Sequence, residues 1–336
     1  MNFTAVILAP KSIIDLKQTL QSLLSSNLNK NFSIIVMVNG PDATIETYLK
    51  QFMKERSQLN LVFDVGPAPV NQSELKNRAT PLVKTPYLVF LKSGVELPEH
   101  YLNRANQIIQ AHQPEAFGGT DITHPEAKLF EKVVGAVFTS KMAKGPQSIK
   151  HGIAHNMKTT TTEAKEFELH PDHLWFKTEV FQKYKMSFDN RLDVGAHKIL
   201  LAQLVENKRK IYFIQDLFVY NHRFSGFVEV IKYCYQSARF QIYSYRIFPK
   251  YINPMYLMPT VLLLYCLSLP LMQESAWFNL IYVYLILVFF YSILICLRSQ
   301  KMIYLPTAFM LHLFMHMTYG FGGLISLFKR PKFLKF

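Results

Sequence analysis

The chain has 336 residues, a formal net charge of +14 at pH 7 and 50% hydrophobic residues. This length suits one large α/β domain or two small ones. The composition changes along the chain, because charge is mixed with short apolar runs up to about Ile252, whereas ionisable residues nearly vanish between Met255 and Phe328. The second part is typical of membrane-embedded protein. The basic charge therefore points to anionic lipid as a partner and not to nucleic acid, for which no recognisable module is present.

The N-terminus and the cysteines indicate the compartment of the first domain. Met1–Pro10 has no basic n-region or long apolar h-region, so no cleavable secretion signal is predicted. Cys234, Cys266 and Cys296 are widely spaced, which favours neither a disulfide framework nor a metal cluster. We therefore expect an inner (cytoplasmic) membrane protein whose first domain faces the cytoplasm.

The first hundred residues alternate apolar runs with helical periods. Four predicted strands and two predicted helices follow one another as Phe3–Leu8, Leu16–Leu24 (helix), Phe32–Val38, Thr44–Arg56 (helix), Leu59–Val65 and Tyr87–Leu91. Continuous apolar strands between helices predict a mostly parallel sheet flanked by helices. Because ligands bind beyond the carboxyl ends of such strands, the loops at Pro10, Asn39 and Lys92 are expected to form one cleft. From Gly118 to about Glu168 the pattern predicts acceptor-side loops.

The C-terminal third is apolar and aromatic. Phe227–Tyr251 mixes Tyr and Phe with Lys and Arg, as interfacial amphipathic helices do, and packing against the first domain is the alternative. Three apolar stretches follow: Met255–Met272, Ala276–Leu297 and Ile303–Phe328. The middle stretch alone is an unambiguous span, and either of the others would also suit a re-entrant segment. An even number of crossings is favoured, because three would place the basic tail outside the cytoplasm.

These patterns predict three regions. Residues 1–225 form an α/β domain, 226–252 an interfacial helical region, and 253–336 a membrane region of two to three helices with the basic tail Lys329, Arg330, Lys332 and Lys335. His312 and His316 lie four residues apart on one helical face of the last stretch. Without a third ligand in the sequence, polar helix packing is favoured over metal binding.

Seven segments carry a resemblance to a known family. In chain order they are Ala5–Pro10, Val36–Gly40, Lys76–Ala79, Phe90–Pro98, Phe188–Leu192, Tyr220–Arg223 and Gln236–Phe240. Their order and spacing over more than 200 residues resemble glycosyltransferase family 2, in particular its polysaccharide-synthesis members with C-terminal membrane segments. The resemblance implies a GT-A fold that moves a sugar from a nucleotide-sugar donor to a lipid-linked or polysaccharide acceptor.

The resemblance also implies where the two substrates bind. The residues that match the family's donor segments are Pro10, Asn39, Asn77, Arg78, Lys92, Ser93 and Gly94. Gln236, Arg239 and Phe240 are similar to an acceptor or product-binding Gln-x-x-Arg-Trp motif, with Phe in place of Trp.

The family's carboxylates are missing at the matching positions. Family members hold Mg²⁺ or Mn²⁺ on an Asp-x-Asp pair, but the segment here is Lys92-Ser93-Gly94, so no metal site is predicted. The Glu-Asp pair that carries the catalytic base corresponds to Ala196-His197. Asp189 and Asp193 are close in sequence to His197, and Asp189 is expected to belong to a structural turn.

Two interpretations stay open. In the first, Lys92 neutralises the leaving diphosphate and His197 is the base of an inverting, metal-independent transferase. In the second, loss of the acids has left an inactive pseudo-glycosyltransferase that is a scaffold or regulator for a membrane protein partner. A channel or transporter subunit is disfavoured, because the spans are few and hold no intramembrane acid.

Overall fold

The structure is a computed structural model that describes residues 2–26, 32–153, 157–271 and 276–332. The contacts divide the chain into two compact units. Within the described residues the first unit takes 2–122 and 157–221, and the second takes 123–153 and 222–332. Residues 123–153, which the sequence division placed in the 1–225 domain, thus belong to the second unit. Met272 and Lys335 lie outside the described residues.

The first unit is built on a mixed sheet. The strands are β1 (Phe3–Leu8), β2 (Phe32–Val38), β3 (Asn60–Val65), β4 (Tyr87–Lys92), β5 (Ala116–Thr123), β6 (His151–Gly152, in the second unit), β7 (Thr161–Glu163), β8 (His173–Lys177) and β9 (Ile211–Asn221). In the first unit they lie in the order β3-β2-β1-β4-β8-β5-β9-β7. The four strands β1 to β4 are parallel, as predicted, whereas β8 runs antiparallel to both β4 and β5. The predicted α/β class is confirmed.

Both units contain helices. The helices are α1 (Ile13–Ser25), α2 (Ala43–Glu55), α3 (Gln72–Ala79), α4 (Tyr101–His112), α5 (Leu129–Phe138), α6 (Lys141–Lys144), α7 (Glu179–Gln182), α8 (Ala196–Glu206), α9 (Phe227–Ile247), α10 (Met258–Ser268), α11 (Leu280–Ser299) and α12 (Leu305–Phe328). The core of the first unit joins β1, β2 and β4 to α1 and α4, with Phe3 and Trp175 fully buried in it. Burial of these continuous apolar strands on both faces is the main driving force for this fold.

Polar caps start three helices directly after strands. Ser12 accepts from the Asp15 N–H at the start of α1, Asp42 caps α2, and Asn71 accepts from the Glu74 N–H at the start of α3. These helices follow β1, β2 and β3, so their N-termini face the carboxyl edge of the parallel strands. Partial positive charge at helix N-termini makes this edge attractive to anions.

The predicted loops of Gly118–Glu168 are wrong in part, because this region contains β5 and the ten-residue helix α5. Gly118 and Gly119, at the start of the predicted loop region, lie inside β5. A Cβ on Gly119 would meet the Leu217 carbonyl oxygen of β9 at 1.8 Å. Glycine is required here by the close approach of a neighbouring strand, which a single sequence does not reveal.

The second unit contains the apolar helices. Three segments are long and apolar enough to cross a membrane: Pro254–Leu271, Ala276–Ser299 and Met302–Phe328. Within this unit α12 packs against α9 and α10. Close packing depends on glycines of α12, since a Cβ on Gly320 would lie 2.3 Å from the Pro259 carbonyl oxygen. The number of actual crossings stays a prediction.

His312 and His316 of α12 make polar contacts inside the second unit. His312 Nδ1 lies 2.8 Å from the Ala308 carbonyl oxygen and its Nε2 lies 3.1 Å from Ser140 Oγ. His316 Nε2 lies 2.8 Å from the Met142 carbonyl oxygen, and its Nδ1 lies 2.9 Å from the Tyr284 hydroxyl. Each ring thus has both nitrogens in polar contacts, of which the one to Ala308 lies within α12 and the other three reach neighbouring segments.

Candidate functional site

The sheet order brings together the loops that the sequence singled out. β1 lies between β2 and β4, and Leu8 at the end of β1 pairs with Lys92 at the end of β4. Pro10 follows β1 and Asn39 follows β2. The loops after these three strands therefore leave from one edge of the sheet, here called the ligand edge, as parallel α/β sheets require of a binding crevice.

Lys92 and Asp172 form an ion pair at the ligand edge. Lys92 Nζ lies 3.6 Å from Asp172 Oδ2, and the Lys92 side chain is 52% exposed. The Lys92 main-chain N–H also donates to the Asp172 carbonyl oxygen at 2.9 Å. Asp172 directly precedes β8, which is antiparallel to β4, so the start of β8 lies where β4 ends.

Asp172 is held from three sides. Asn221, the last residue of β9, donates its side-chain N–H to Asp172 Oδ2 at 3.0 Å. The Asp172 N–H donates to His170 Nδ1 at 3.2 Å, so a neutral His170 ring carries its proton on Nε2, which lies 3.4 Å from the buried Asp121 carboxylate. Although burial acts to raise the pKa of the Asp172 carboxyl, the nearby Lys92 and His170 keep it below its usual value. Asp172 is therefore ionised at neutral pH.

Two further lysines contribute positive charge to this edge. Partial burial and repulsion from Lys92 lower the pKa of Lys11, in the loop after β1. Lys76 of α3 is buried, and its Nζ lies 5.2 Å from the centre of the Phe188 ring and 5.7 Å from that of Phe90. Burial lowers the pKa of Lys76 to about 8, and Asp172 acts in the opposite direction. The ammonium groups of Lys92, Lys11 and Lys76 thus contribute positive charge to this edge, and Asp172 offsets part of it.

The turn after Lys92 is rigid. Gly94 has φ +91°, a conformation that suits glycine, and its N–H donates to the Thr19 hydroxyl at 2.9 Å. Glu96 accepts from the Gln18 side chain at 3.0 Å. Ser93 is buried, and no hydrogen-bond partner for its hydroxyl lies among the described residues.

Three predicted donor-binding side chains are engaged within the first unit. The Asn39 amide donates to the Val70 carbonyl oxygen at 3.0 Å and accepts from the Val70 N–H at 2.8 Å. Asn77 accepts from the Phe188 N–H and donates to the Phe188 carbonyl oxygen. Arg78 forms an ion pair with Asp64. In these contacts the three side chains hold loops in place.

The predicted base, His197, lies on α8 and not in the loops that follow β1, β2 and β4. His197 is the second residue of α8 and is 6% exposed. Asp193, four residues earlier, accepts from the Gln72 N–H at the start of α3. Asp189 pairs with Arg191, whose hydrogen bonds keep the pKa of the Asp189 carboxyl below its usual value, in agreement with the predicted structural turn.

The predicted acceptor motif lies in the second unit, on α9. Arg239 Nη2 donates to the Arg330 carbonyl oxygen at 2.8 Å and approaches the Lys329 carbonyl oxygen at 3.3 Å. Both carbonyl groups belong to the segment that directly follows α12. Phe240 is fully buried. Arg239 therefore holds the segment after α12 against α9 in this structure.

Sequence reasoning missed the acidic half of the site. Asp121, His170, Asp172 and Asn221 lie at the ligand edge because β8 starts there and β9 ends there. If every strand is taken as parallel, only residues that follow strands are expected at the ligand edge. Residues at the start of the antiparallel strand β8 are then not expected there. The signal available was the run His170-Pro171-Asp172-His173, whose polar residues stand directly before a buried apolar strand.

No family model matches the sequence, and no curated protein matches it. Solved structures do resemble the fold. S. aureus TarS in complex with UDP has a TM-score of 0.50 and 15% identity, over 71% of this chain and 64% of that one. The mannosyltransferase PcManGT from Pyrobaculum calidifontis, in complex with GDP-Man and Mn²⁺, has a TM-score of 0.65 and 9% identity, over 96% of this chain and 86% of that one. This chain thus has a glycosyltransferase fold of the GT-A type, as its motifs indicate.

Proposed function

We propose that this chain is a membrane-associated glycosyltransferase that moves a sugar from a nucleotide-sugar to a lipid-linked or polysaccharide acceptor in cell-envelope or surface polysaccharide synthesis. The observation that carries the proposal is the position of Lys92, exposed at the end of β4 on the ligand edge with Lys11 beside it. A leaving nucleoside diphosphate develops negative charge, which an ammonium stabilises directly. The nucleotide-sugars in complex with TarS and PcManGT support this donor class.

The turn after β4 supplies no carboxylate at the positions that match the family's metal-binding Asp-x-Asp. Mg²⁺ and Mn²⁺ prefer several oxygen ligands, yet the turn after β4 presents Lys92 and Gly94 at the matching positions. The carboxylate beside them, Asp172, is already paired with Lys92 at 3.6 Å. A second ammonium, that of Lys11, adds repulsion. We therefore infer a metal-independent transfer.

The reaction would be an inverting displacement. The acceptor hydroxyl oxygen attacks the anomeric carbon, the bond from that carbon to the diphosphate oxygen breaks, and the nucleoside diphosphate leaves with the electron pair. A base accepts the hydroxyl proton, and His197 is the candidate for this role. Lys92 compensates the charge on the leaving group.

Membrane association is supported by the three apolar helices long enough to span a bilayer. Arg298 lies in the last turn of the second, Lys301 lies between the second and the third, and Lys329, Arg330 and Lys332 follow the third. Anionic headgroups attract such basic clusters next to apolar helices. An acceptor attached to lipid would be presented at this interface.

Calorimetric titration of the detergent-purified chain with UDP, GDP and their sugar conjugates tests the proposal, first with EDTA and then with Mn²⁺. Lys92→Ala is compared with Lys84→Ala, which removes an exposed lysine just before the same strand. We expect metal-independent binding that Lys92→Ala weakens at least tenfold and Lys84→Ala leaves unchanged. Absence of binding under both conditions would support the pseudo-glycosyltransferase alternative.

A further inference from the structure

Lys92, an accessible cation of the ligand edge, is already paired with an acid. We propose that Asp172 is an internal counter-ion of Lys92, and that the diphosphate of the donor displaces it when the donor binds; this inference rests on the proposed function. The two side chains lie 3.6 Å apart, and about half of the Lys92 side chain is open to solvent, against 18% of the Asp172 side chain. An anion that approaches from solvent thus meets Lys92 first.

The carboxylate of this pair is fixed, whereas the ammonium is not. Asp172 Oδ2 accepts from Asn221, the Asp172 carbonyl oxygen accepts from the Lys92 N–H, and the Asp172 N–H donates to His170. Lys92 carries its charge on a flexible four-carbon stem. Exchange of partners therefore requires Lys92 Nζ to swing from Asp172 to phosphate while Asp172 keeps its hydrogen bonds to Asn221 and His170.

This arrangement sets a threshold for anion binding. An incoming anion must interact with Lys92 more strongly than the Asp172 carboxylate does. A diphosphate meets this condition better than chloride or a carboxylate, because it carries more charge and more acceptor oxygens. An internal group that competes with weakly binding anions increases specificity, because those anions cannot displace it. Asp172 would thus make the site selective for diphosphates at some cost in affinity, so it is a positioning and selectivity residue, not a catalytic one.

The test is calorimetric titration of the full chain in detergent and EDTA with two probes, inorganic pyrophosphate and UDP. Asp172→Asn keeps an oxygen that can accept from Asn221 but removes the charge, and Asp172→Ala is the second variant. We expect each to tighten pyrophosphate binding about fivefold, the size expected for one partly exposed ion pair. A gain in affinity is not produced by misfolding, and thermal unfolding checks each variant.

Two controls isolate the pair. Asp216→Asn removes the acid of another ion pair of the first unit, 2.9 Å from Arg104, and should leave pyrophosphate affinity unchanged. In a Lys92→Ala background, Asp172→Asn should give no more than a small gain, since the cation that the acid masks is gone.

The outcomes separate this inference from the proposed function. Tighter pyrophosphate binding in the Asp172 variants, lost in the Lys92→Ala background, supports the counter-ion even if UDP does not bind. Unchanged or weaker pyrophosphate binding in folded Asp172 variants overturns it, even if UDP binds the wild-type chain through Lys92. If neither probe binds any variant, both ideas fail.

Discussion

The Thr19 hydroxyl connects α1 to the turn that follows Lys92. It accepts from the Gly94 N–H at 2.9 Å and donates to the Val95 carbonyl oxygen at 2.9 Å. Thr19 is fully buried. One side chain thus satisfies two main-chain groups of the turn that presents Lys92.

Replacement of this hydroxyl should loosen the turn. Thr19→Val keeps the shape of the side chain but removes the donor to the Val95 carbonyl oxygen and the nearer of two acceptors of the Gly94 N–H, which also lies 3.2 Å from the Asp15 carbonyl oxygen. We expect this change to destabilise the protein by about 1–3 kcal/mol. Thr19→Ser retains both hydrogen bonds and should cost less. Hydrogen exchange of residues 93–97 and the thermal unfolding midpoint measure the effect. Equal behaviour of the two variants would show that the hydroxyl does not support the turn.

Helix packing in the second unit gives a second prediction. A Cβ on Gly322 would lie 2.5 Å from the Tyr235 carbonyl oxygen, whereas one on Gly226 would meet nothing within 4 Å. Gly322→Ala should therefore force α12 away from α9 and cost about 1–3 kcal/mol, whereas Gly226→Ala creates no clash, loses only the preference for glycine at the N-cap of α9 and should cost about 1 kcal/mol or less. Thermal unfolding in detergent compares the two variants. Similar midpoints would contradict close packing of α9 and α12 at this glycine.

The position of Arg239 separates a structural role from acceptor binding. Arg239→Gln removes the charged donor to the Lys329 and Arg330 carbonyl oxygens, so the segment that follows α12 should fray and the protein should lose about 1–2 kcal/mol of stability. Lys232→Gln, an exposed change on the same helix, is the control. Hydrogen exchange of residues 325–332 reports the fraying. If Arg239→Gln alters acceptor use without a change in exchange, the predicted acceptor motif is favoured instead.

The four strands and two of the three α-helices within the first hundred residues were predictable, because period and turn residues are local properties; α3 was not among the predicted elements. β1, β2 and the loops at Pro10 and Asn39 follow directly from apolar runs that end at turn residues. The direction of β8 is not local. It depends on pairing with β4 and β5, and this pairing places Asp172 opposite Lys92. The cation of the site was thus visible in the sequence, and its counter-ion was not.

The contacts of polar side chains were also beyond sequence reasoning. Asn39 and Arg78 matched donor-binding segments, yet in the structure they hold Val70 and Asp64. A motif match records residue type and spacing, whereas the partner of a side chain depends on loops distant in sequence. Donor contacts from these residues therefore stay predictions, which the nucleotide titrations will test.

Lys76 should make stability depend on pH in the alkaline range. Burial lowers its pKa in the folded chain to about 8 from 10.5. Between these values the unfolded chain binds the proton and the folded chain does not, so stability rises with pH. The cost of the buried charge is fully present below about pH 8 and is relieved as pH approaches 10.5. The shift corresponds to a cost on the order of 3 kcal/mol.

Lys76→Met replaces the ammonium by an apolar group of similar length beside the Phe90 and Phe188 rings, and removes this contribution. We expect the variant to be more stable than the wild type at pH 7, with a difference that shrinks by pH 9.5. Thermal unfolding at the two pH values measures it. Lys84→Met, at an exposed position, should follow the wild type at both. Parallel pH profiles of Lys76→Met and the wild type would mean that Lys76 is not charged in a buried site, and its contribution to the positive charge of the ligand edge would have to be abandoned.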